Sequence, residues 1–491
     1  MRFLADIFTL VHRLEREGLF TVERPVSLPS TPTVVPYVSS WRPYEGGRIF
    51  MVKTPAEKFL VTVDCRLPLA GEREKIEGRQ VGVHPLSAEN AAVIREYFPF
   101  AAPGRLPAHL PSFGCGDRLG LANPGHLRAL RGFRVAPVLA QQSVRELNLT
   151  GRTFTQVLDA ATWAVIQEGY EGGYGADGDH LKTPEEVRTA LAAGMTMITL
   201  DLSLSLGAPV PPCPSRLLEY AGRSFSLGGR EIVLSKDDVE AFWRVYGAAL
   251  SFVREADALC REYRGVDGYD LEVSVDETPE ETRLADHLLF ALEMEYLGIR
   301  PFSLAPRFPG EFQKAVDYRG DRGRFEEAFA AHASLARRFG YRLSVHSGSD
   351  KFAVFPAVGR LSGGCFHLKT AGTSWLVALG VVAAKDPGLF RRIYHQALVS
   401  LPEAKKYYHI ATGPADVGPI DGLPDAALPG LLADESARQL LHITYGQILT
   451  APELGPAFFR LLAGEEEAYY QALIEHFHRH FRALGLPEEE D

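Results

Sequence analysis

The segment Asp270-Leu-Glu-Val-Ser-Val-Asp276 alternates apolar and polar side chains along its whole length. Such alternation predicts a strand that turns its leucine and valines to one face and its glutamate, serine and last aspartate to the other. A carboxylate such as Glu272 is costly to bury in an apolar setting unless it is paired or takes part in chemistry. The segment therefore predicts a strand of a closed sheet with a polar interior.

The same rhythm of apolar run, polar end and helical stretch repeats on both sides of this segment. Eight strands are predicted, near Phe113–Gly116, Ala136–Ala140, Gly173–Asp179, Met195–Asp201, Asp270–Val275, Pro301–Ala305, Tyr341–His346 and Cys365–Lys369. Helical patterns separate most of them, including Phe154–Glu168, Thr278–Leu297, Arg324–Phe339 and Trp375–Lys385. Alternating strands and helices favour a parallel sheet, and about eight units favour an α/β fold of the (β/α)8 TIM-barrel type.

The barrel does not use the whole chain, so we divide the sequence into three units. Residues 1–105 predict a small N-terminal α/β module, in which Lys58 to Asp64 alternate like a strand. Residues 106–385 predict the catalytic barrel, with a helix-rich insertion at about 202–265 after its fourth strand. Residues 386–491 predict a helical C-terminal extension.

Composition narrows the classes of partner and compartment. The 491 residues carry a formal net charge of −10 without a long basic tract, so nucleic acid and anionic membranes are poor partners. No uncharged apolar run reaches the roughly 20 residues of a transmembrane helix. The five cysteines are scattered and contain no CxxC pair, which favours a reduced cytoplasmic compartment. A homo-oligomer is compatible with these features.

Three histidines fall near the ends of predicted strands. His180 closes the third strand, His346 the seventh and His367 the eighth. Because carboxyl ends of barrel strands meet at one face, these imidazoles are candidate ligands of a divalent metal such as zinc, manganese, cobalt or nickel. The alternative for each histidine is a hydrogen-bonded structural role.

Two carboxylates are candidate acid–base groups. Glu272 faces the barrel interior, and Asp179 directly precedes His180. A metal and nearby lysines would set their pKa values for proton transfer. The alternatives are a structural salt bridge from Glu272 to Lys182 or Lys369, and a role for Asp179 in orienting His180.

Two loops and several polar residues are candidates for binding an anionic or hydroxylated substrate. One loop follows the seventh strand and contains Asp350 and Lys351, and the other spans Thr370 to Ser374 before a helix. Barrels often bind anions at these places through backbone N–H groups and a helix start. The full set of substrate-binding candidates is Arg118, Gln142, Lys182, Asp350, Lys351 and Lys369. Helix capping is the alternative for the second loop.

At these residues the chain resembles the tagaturonate epimerase family of hexuronate catabolism. The motifs that carry the resemblance occur in order between residues 110 and 380: Phe113-Gly-Cys-Gly-Asp-Arg-Leu-Gly-Leu-Ala-Asn-Pro-Gly-His126, Val138-Leu-Ala-Gln-Gln-Ser143, Gly175-Ala-Asp-Gly-Asp-His-Leu-Lys-Thr183, Glu272-Val-Ser-Val-Asp-Glu-Thr278, Ser303-Leu-Ala-Pro-Arg-Phe308, His346-Ser-Gly-Ser-Asp-Lys351 and His367-Leu-Lys-Thr-Ala-Gly-Thr-Ser374. The resemblance implies metal-dependent interconversion of D-tagaturonate and D-fructuronate. It also suggests slow 4-epimerisation of fructose and tagatose.

This chemistry constrains the mechanism. The inverted carbon lies β to the ketone, so its C–H bond is not acidified enough for simple enolisation. We therefore expect a retro-aldol route in which the metal acts as a Lewis acid, Asp179 accepts the hydroxyl proton and Glu272 returns a proton after the aldehyde has turned. The rival readings are a metal-dependent aldolase that releases its fragments, a metal-dependent hydrolase and a non-catalytic sugar-acid sensor.

Overall fold

The computed structural model describes residues 2–17, 34–227, 229–278, 280–370 and 372–488. The chain begins with helix α1 (Arg2–Glu17) and a five-stranded antiparallel sheet of order β1-β2-β3-β5-β4. Its strands are β1 (Val35–Tyr44), β2 (Gly47–Lys53), β3 (Lys58–Val63), β4 (Glu72–Ile76) and β5 (Arg79–Pro85). Apolar residues of α1, including Ile7 and Val11, form one buried cluster with Val61 and Val81 of the sheet. The alternating strand predicted from Lys58 is β3.

Ten further strands follow along the chain. They are β6 (Ser112–Gly114), β7 (Ala136–Ser143), β8 (Gly175–Leu181), β9 (Met197–Asp201), β10 (Ser224–Leu227), β11 (Arg230–Val233), β12 (Asp270–Ser274), β13 (Ser303–Ala305), β14 (Arg342–Val345) and β15 (Phe366–Lys369). All but β10 and β11 close into one barrel of order β12-β13-β14-β15-β6-β7-β8-β9, in which neighbours run parallel. The predicted eight-stranded barrel is confirmed.

Helices cover the outside of the barrel and build the C-terminal part of the chain. They are α2 (Ala88–Tyr97), α3 (Asn123–Leu130), α4 (Val144–Thr150), α5 (Phe154–Glu168), α6 (Pro184–Ala193), α7 (Ser215–Leu218), α8 (Lys236–Arg264), α9 (Leu284–Tyr296), α10 (Arg322–Phe339), α11 (Phe355–Ser362), α12 (Thr373–Lys385), α13 (Pro387–Ala404), α14 (Glu435–Ile443), α15 (Tyr445–Leu449), α16 (Leu454–Gly464) and α17 (Glu466–Ala483). Short 3-10 turns lie at Pro99–Ala101, Leu202–Leu204, Pro414–Asp416 and Asp425–Ala433.

The segment between β9 and β12 differs in part from the predicted insertion. It contains the antiparallel hairpin β10–β11, which the sequence did not predict. Its long helix α8 packs on α6 and α9, so it occupies the position of the barrel's own fourth helix. Helix α9 begins at Leu284, later than predicted, because the Thr278 hydroxyl donates to carbonyl oxygens of Val275 and Glu280 and holds a turn there.

The C-terminal helices pack on the barrel and join it to the N-terminal sheet. Phe113 of β6 contacts Phe477 and Phe481 of α17, with ring centroids 5.4 and 5.1 Å away. At the start of α17, Glu466 receives hydrogen bonds from Lys53 and Lys58 of the sheet. None of the described helices is both long enough and apolar enough to cross a membrane.

Candidate active site

One buried lysine joins three carboxylates inside the barrel. Lys369 Nζ, at the end of β15, lies 2.7 Å from Asp177 Oδ2, 2.7 Å from Asp179 Oδ1 and 3.0 Å from Glu272 Oε1. The side chain of Glu272 is 0% exposed and that of Lys369 is 3% exposed. The predicted pairing of Glu272 with Lys369 is therefore present, and it brings Asp179 and Glu272 to a single ammonium group.

The charge of Lys369 sets the ionisation of these carboxylates. Burial opposes the ionisation of Asp179 and Glu272, but the ammonium group and neighbouring histidines outweigh it and lower both pKa values. At Asp177, burial outweighs the charge of Lys369 and raises the pKa to about 6. At neutral pH, Asp179 is thus ionised.

His346 connects Glu272 to a further carboxylate. Its Nε2 lies 2.7 Å from Glu272 Oε1, and its Nδ1 lies 3.2 Å from Asp276 Oδ2. Burial disfavours the imidazolium, but the two acids raise the pKa of His346 to about 10. His346 is therefore an imidazolium whose Nε2 donates to the ionised Glu272.

His180 stands on a distorted end of β8. The pairing of β8 with β9 shifts between Gly178 and Leu181, and His180 adopts a left-handed φ of 55°. This distortion places its Nδ1 3.4 Å from Asp201 Oδ2 and its ring centroid 5.0 Å from that of His346. One donor atom each from His180, Asp201 and Glu277 lie within 4.8 Å of one another.

Of the three predicted histidine ligands, His180 and His346 lie side by side, with ring centroids 5.0 Å apart, and His367 lies deeper in the barrel. His367 faces the interior, as predicted, but two residues before Lys369 and therefore one layer deeper in the barrel. Its Nδ1 lies 2.9 Å from Ser112 Oγ, and its ring packs 6.2 Å from that of Phe302. Burial lowers the pKa of His367 to about 3, so it is a neutral interior group. Strand parity fixes which way a side chain points but not its depth, which is why the sequence grouped it with His180 and His346.

Two of the predicted substrate-binding cations already have strong partners. Arg118 is buried, forms an ion pair of 2.8 Å with Glu146 and stacks 3.9 Å from the ring centroid of Tyr445. Lys351 donates to the carbonyl oxygens of Gln313, Val316 and Ser349, which braces the loop after β14.

Asp350 and Lys182 also have partners within the chain. Asp350 accepts from Arg438 at 2.6 Å, and its backbone N–H donates to His480 on α17. Lys182 donates to Ser203 Oγ at 3.0 Å and lies 3.3 Å from Asp201 Oδ2. Of these two, only Lys182 lies beside the group formed by His180, Asp201 and Glu277. The second predicted anion loop is described except for Ala371, which lies outside the described residues.

The two glutamines at the end of β7 are both buried, and neither side-chain amide has a hydrogen-bond partner among the described residues. Gln141 pairs in register with Asp177, whereas Gln142 pairs with Gly178, whose Cα faces Ala190 on the helical side. Gln141 therefore shares the interior face, and it is a better substrate-binding candidate than the predicted Gln142.

Sequence reasoning passed over several groups at this end of the barrel. Asp177 could have been predicted from the sequence, because it lies two residues before Asp179 and therefore points to the same face of the strand. Lys314 and His442 had none, because they lie in a loop and in a C-terminal helix whose place on the barrel depends on tertiary packing. Burial lowers the pKa of Lys314 to about 8.

Comparison with known proteins gives a consistent result over nearly the whole chain. A model of the tagaturonate epimerase family matches residues 37–211 and 215–484. The tagaturonate/fructuronate epimerase of Thermotoga maritima is 38% identical over 466 residues, which cover 91% of this chain and 96% of that protein.

Crystal structures of the fructuronate-tagaturonate epimerase UxaE from Cohnella laeviribosi have a similar fold. A glycerol complex has a TM-score of 0.87 and 40% identity, and covers 98% of this chain and 100% of its own. The native structure has a TM-score of 0.87 and 39% identity, covering 97% and 99%. The likeness includes the N-terminal sheet and the C-terminal helices as well as the barrel.

Proposed function

The chain belongs to the tagaturonate epimerase family, and we propose that it is an isomerase that interconverts D-tagaturonate and D-fructuronate. The observation that carries the proposal is the buried Lys369, which joins Asp179 and Glu272 at the carboxyl ends of barrel strands. Barrel enzymes place their catalytic groups at this end. Two carboxylates within reach of one substrate supply the acceptor and the returning group that an inversion requires.

We further propose that a divalent metal binds beside this carboxylate pair. The donor chemistry fits such an ion, since His180, Asp201 and Glu277 offer one imidazole and two carboxylates within 4.8 Å of one another. His346 lies next to His180, but its Nε2 and Nδ1 face Glu272 and Asp276 and it carries a proton, so we place it beside the ion and not among its ligands. When bound, the ion would act as a Lewis acid on the keto and neighbouring hydroxyl oxygens. Zinc, manganese, cobalt and nickel all bind such a set of imidazole and carboxylate donors.

In the first half of the proposed reaction, Asp179 accepts a proton. The hydroxyl on the carbon to be inverted loses its proton to Asp179 as the bond to the carbon next to the ketone breaks. This step leaves an enediolate and an aldehyde. Lys369 fixes the Asp179 carboxylate at 2.7 Å, and the pKa of Asp179, lowered by that charge, keeps it ionised until substrate arrives.

In the second half, the aldehyde presents its other face and the carbon–carbon bond re-forms. The new alkoxide takes a proton from the pair formed by Glu272 and His346, whose atoms are 2.7 Å apart. Glu272 itself is ionised, so the proton that reaches the alkoxide through Glu272 comes from the His346 imidazolium, which becomes neutral. The two carboxylates exchange roles for the reverse reaction.

Burial of the site keeps the fragments together. Asp177, Asp179, Glu272 and Lys369 are all buried, so bulk water has little access to the enediolate and aldehyde. We therefore propose an epimerase rather than an aldolase that releases its products. The free cysteines, two of them partly exposed, are consistent with a cytoplasmic protein.

The function is tested by NMR of D-tagaturonate incubated with metal-stripped protein and with protein restored with each divalent ion. Fructuronate is expected only with metal present. Release of free aldehyde, captured by an added hydrazine, would support the aldolase instead. If no ion supports conversion, the epimerase proposal fails. The remaining hypothesis is then a sensor that binds the sugar acid without turnover.

A further inference from the structure

Most cations at the carboxyl end of the barrel have their donors engaged. Lys369 serves three carboxylates, and Lys351 serves three carbonyl oxygens. Arg118 is paired with Glu146, and Lys182 is held between Ser203 and Asp201. The sequence offered these four groups for the substrate's carboxylate, and each already has a carboxylate or a backbone carbonyl partner.

Lys314 is different. It lies in the loop between β13 and α10, and its Nζ donates to Ser347 Oγ at 2.8 Å. An ammonium group has three donors, and within the described residues this is the one bond that Lys314 Nζ makes. The charges of Arg118 and Asp179 both act on it. Because Ser347 directly follows His346, Lys314 lies at the same end of the barrel as the proposed reaction centre, with donors to spare.

A second observation points to a ligand beside Lys314. His442 of α14 is fully buried, and neither of its ring nitrogens has a hydrogen-bond partner among the described residues. Gln439, one turn earlier on the same face of α14, donates to the carbonyl oxygen of Lys314 at 3.1 Å. Burial and the positive charges of Arg118 and Lys314 hold the pKa of His442 well below its usual value. A buried neutral imidazole without a partner needs a ligand atom or water to satisfy it.

The surrounding loops add further unused polar groups. Ser349 Oγ and Thr373 Oγ1 are buried without a partner among the described residues, in the loops after β14 and β15. Thr373 is the first residue of the 13-residue helix α12, whose N-terminus has no side-chain cap. Around Lys314 the acids Glu146 and Asp179 oppose the cations Arg118 and Arg145, so the charge of Lys314 itself leaves the region net positive, which suits an anion.

We propose that Lys314, with His442 next to it, binds the carboxylate of the sugar acid and sets the preference for a uronate over a neutral ketose. The inference rests on the proposed function and identifies the residue that selects its substrate class. The substrate would then lie with its carboxylate at Lys314 and its inverted carbon at Asp179.

The experiment compares Lys314→Met with wild-type protein on D-tagaturonate and on D-tagatose, which lacks the carboxylate. We expect kcat/KM for tagaturonate to fall about 10- to 100-fold, as for loss of one charge-assisted hydrogen bond, and kcat/KM for tagatose to change less than about twofold. Lys314→Arg keeps the charge and should keep most of the preference. Lys406→Met removes an exposed lysine just after the end of α13, which pairs with Glu403, and is the matched control.

A second measurement covers the case in which Lys314→Met does not fold. In the wild type, KM for tagaturonate should rise as pH passes about 8, because Lys314 then loses its charge, while KM for tagatose stays level. The charged and titratable groups that interact with Lys314 are Arg145 and Glu146 of α4, Arg118 after β6, Asp179 of β8, Lys351 after β14 and His442 of α14.

The two proposals fail in different ways. Equal losses on both sugars in Lys314→Met, or parallel KM profiles in the wild type, would overturn the inference while leaving the epimerase intact. Absence of tagaturonate turnover in the wild type would remove the proposed function itself.

Discussion

Asp179 and Glu272 share Lys369 but take different second partners. Asp179 lies 3.9 Å from His180 Nε2, on the side of the candidate metal, whereas Glu272 lies 2.7 Å from His346 Nε2. Two chemically equal carboxylates therefore acquire different roles from their surroundings, one as acceptor and one as the partner of the His346 imidazolium. This asymmetry gives predictions at the scale of single residues.

Asp179→Asn should lower kcat about 10²- to 10⁴-fold, because the amide cannot accept the hydroxyl proton. Substrate binding and folding should be little affected, since an amide oxygen can still accept from Lys369. Steady-state kinetics and circular dichroism check both points. Asp425→Asn, which changes an exposed aspartate paired with Arg391, is the control. Full turnover by Asp179→Asn would remove this residue from the mechanism.

Lys369→Met should destabilise the protein by about 3–5 kcal/mol, because it leaves buried carboxylates without their counter-charge. Urea unfolding of the variant and the wild type gives the difference directly. Glu272→Gln in the same background should recover part of the loss by removing one charge. A stability unchanged from wild type would mean that the three carboxylates do not depend on Lys369.

At the scale of elements, alternation along the strands predicted the barrel and much of the site. The alternation predicted that Glu272 and Lys369 face the barrel interior, and in the structure both side chains are buried and paired there. It did not give the depth of His367, because strand parity carries no information on shear between neighbouring strands. It also missed Lys314 and His442, because loop residues and a packed C-terminal helix have no periodic signal that places them on the barrel.

Strand β6 is short, and its Gly114 is fixed by a neighbour on β7. A Cβ at position 114 would lie 1.9 Å from Gln141 Oε1, so the Gln141 side chain would have to move to admit it. Gly114→Ala should destabilise the protein by about 1–3 kcal/mol and displace Gln141 from the interior. Thermal unfolding and kcat/KM measure the two effects. Gly104→Ala, where an added Cβ meets nothing within 4 Å, should change neither. If Gly114→Ala changes neither thermal unfolding nor kcat/KM, the Gln141 side chain can move without cost.

At the scale of the whole molecule, Glu466 ties the N-terminal sheet to the C-terminal helices. It receives hydrogen bonds from Lys53, Lys58 and the Tyr37 hydroxyl. Burial opposes its ionisation, but the two lysines lower the pKa of Glu466 to about 2. These two parts of the chain are therefore joined by a charge cluster that depends on pH.

The stability contributed by Glu466 should be present above about pH 4.5 and disappear as pH falls towards 2, because the unfolded chain binds the proton more readily. The full contribution is on the order of 3 kcal/mol. The gap in unfolding free energy between the wild type and Glu466→Gln should therefore narrow across this range. The control is Glu453→Gln. Glu453 directly precedes α16 and has no ion pair among the described residues. A gap that does not change with pH would contradict the assignment.

The most direct test of the account is conversion of D-tagaturonate in D₂O, followed by NMR of the fructuronate formed. Breaking and re-forming the carbon–carbon bond leaves the hydrogen on the inverted carbon in place, so the account predicts fructuronate without deuterium at that carbon. Deuterium at that carbon would show that the C–H bond itself is broken. It would contradict the role given to the Asp179 and Glu272 pair.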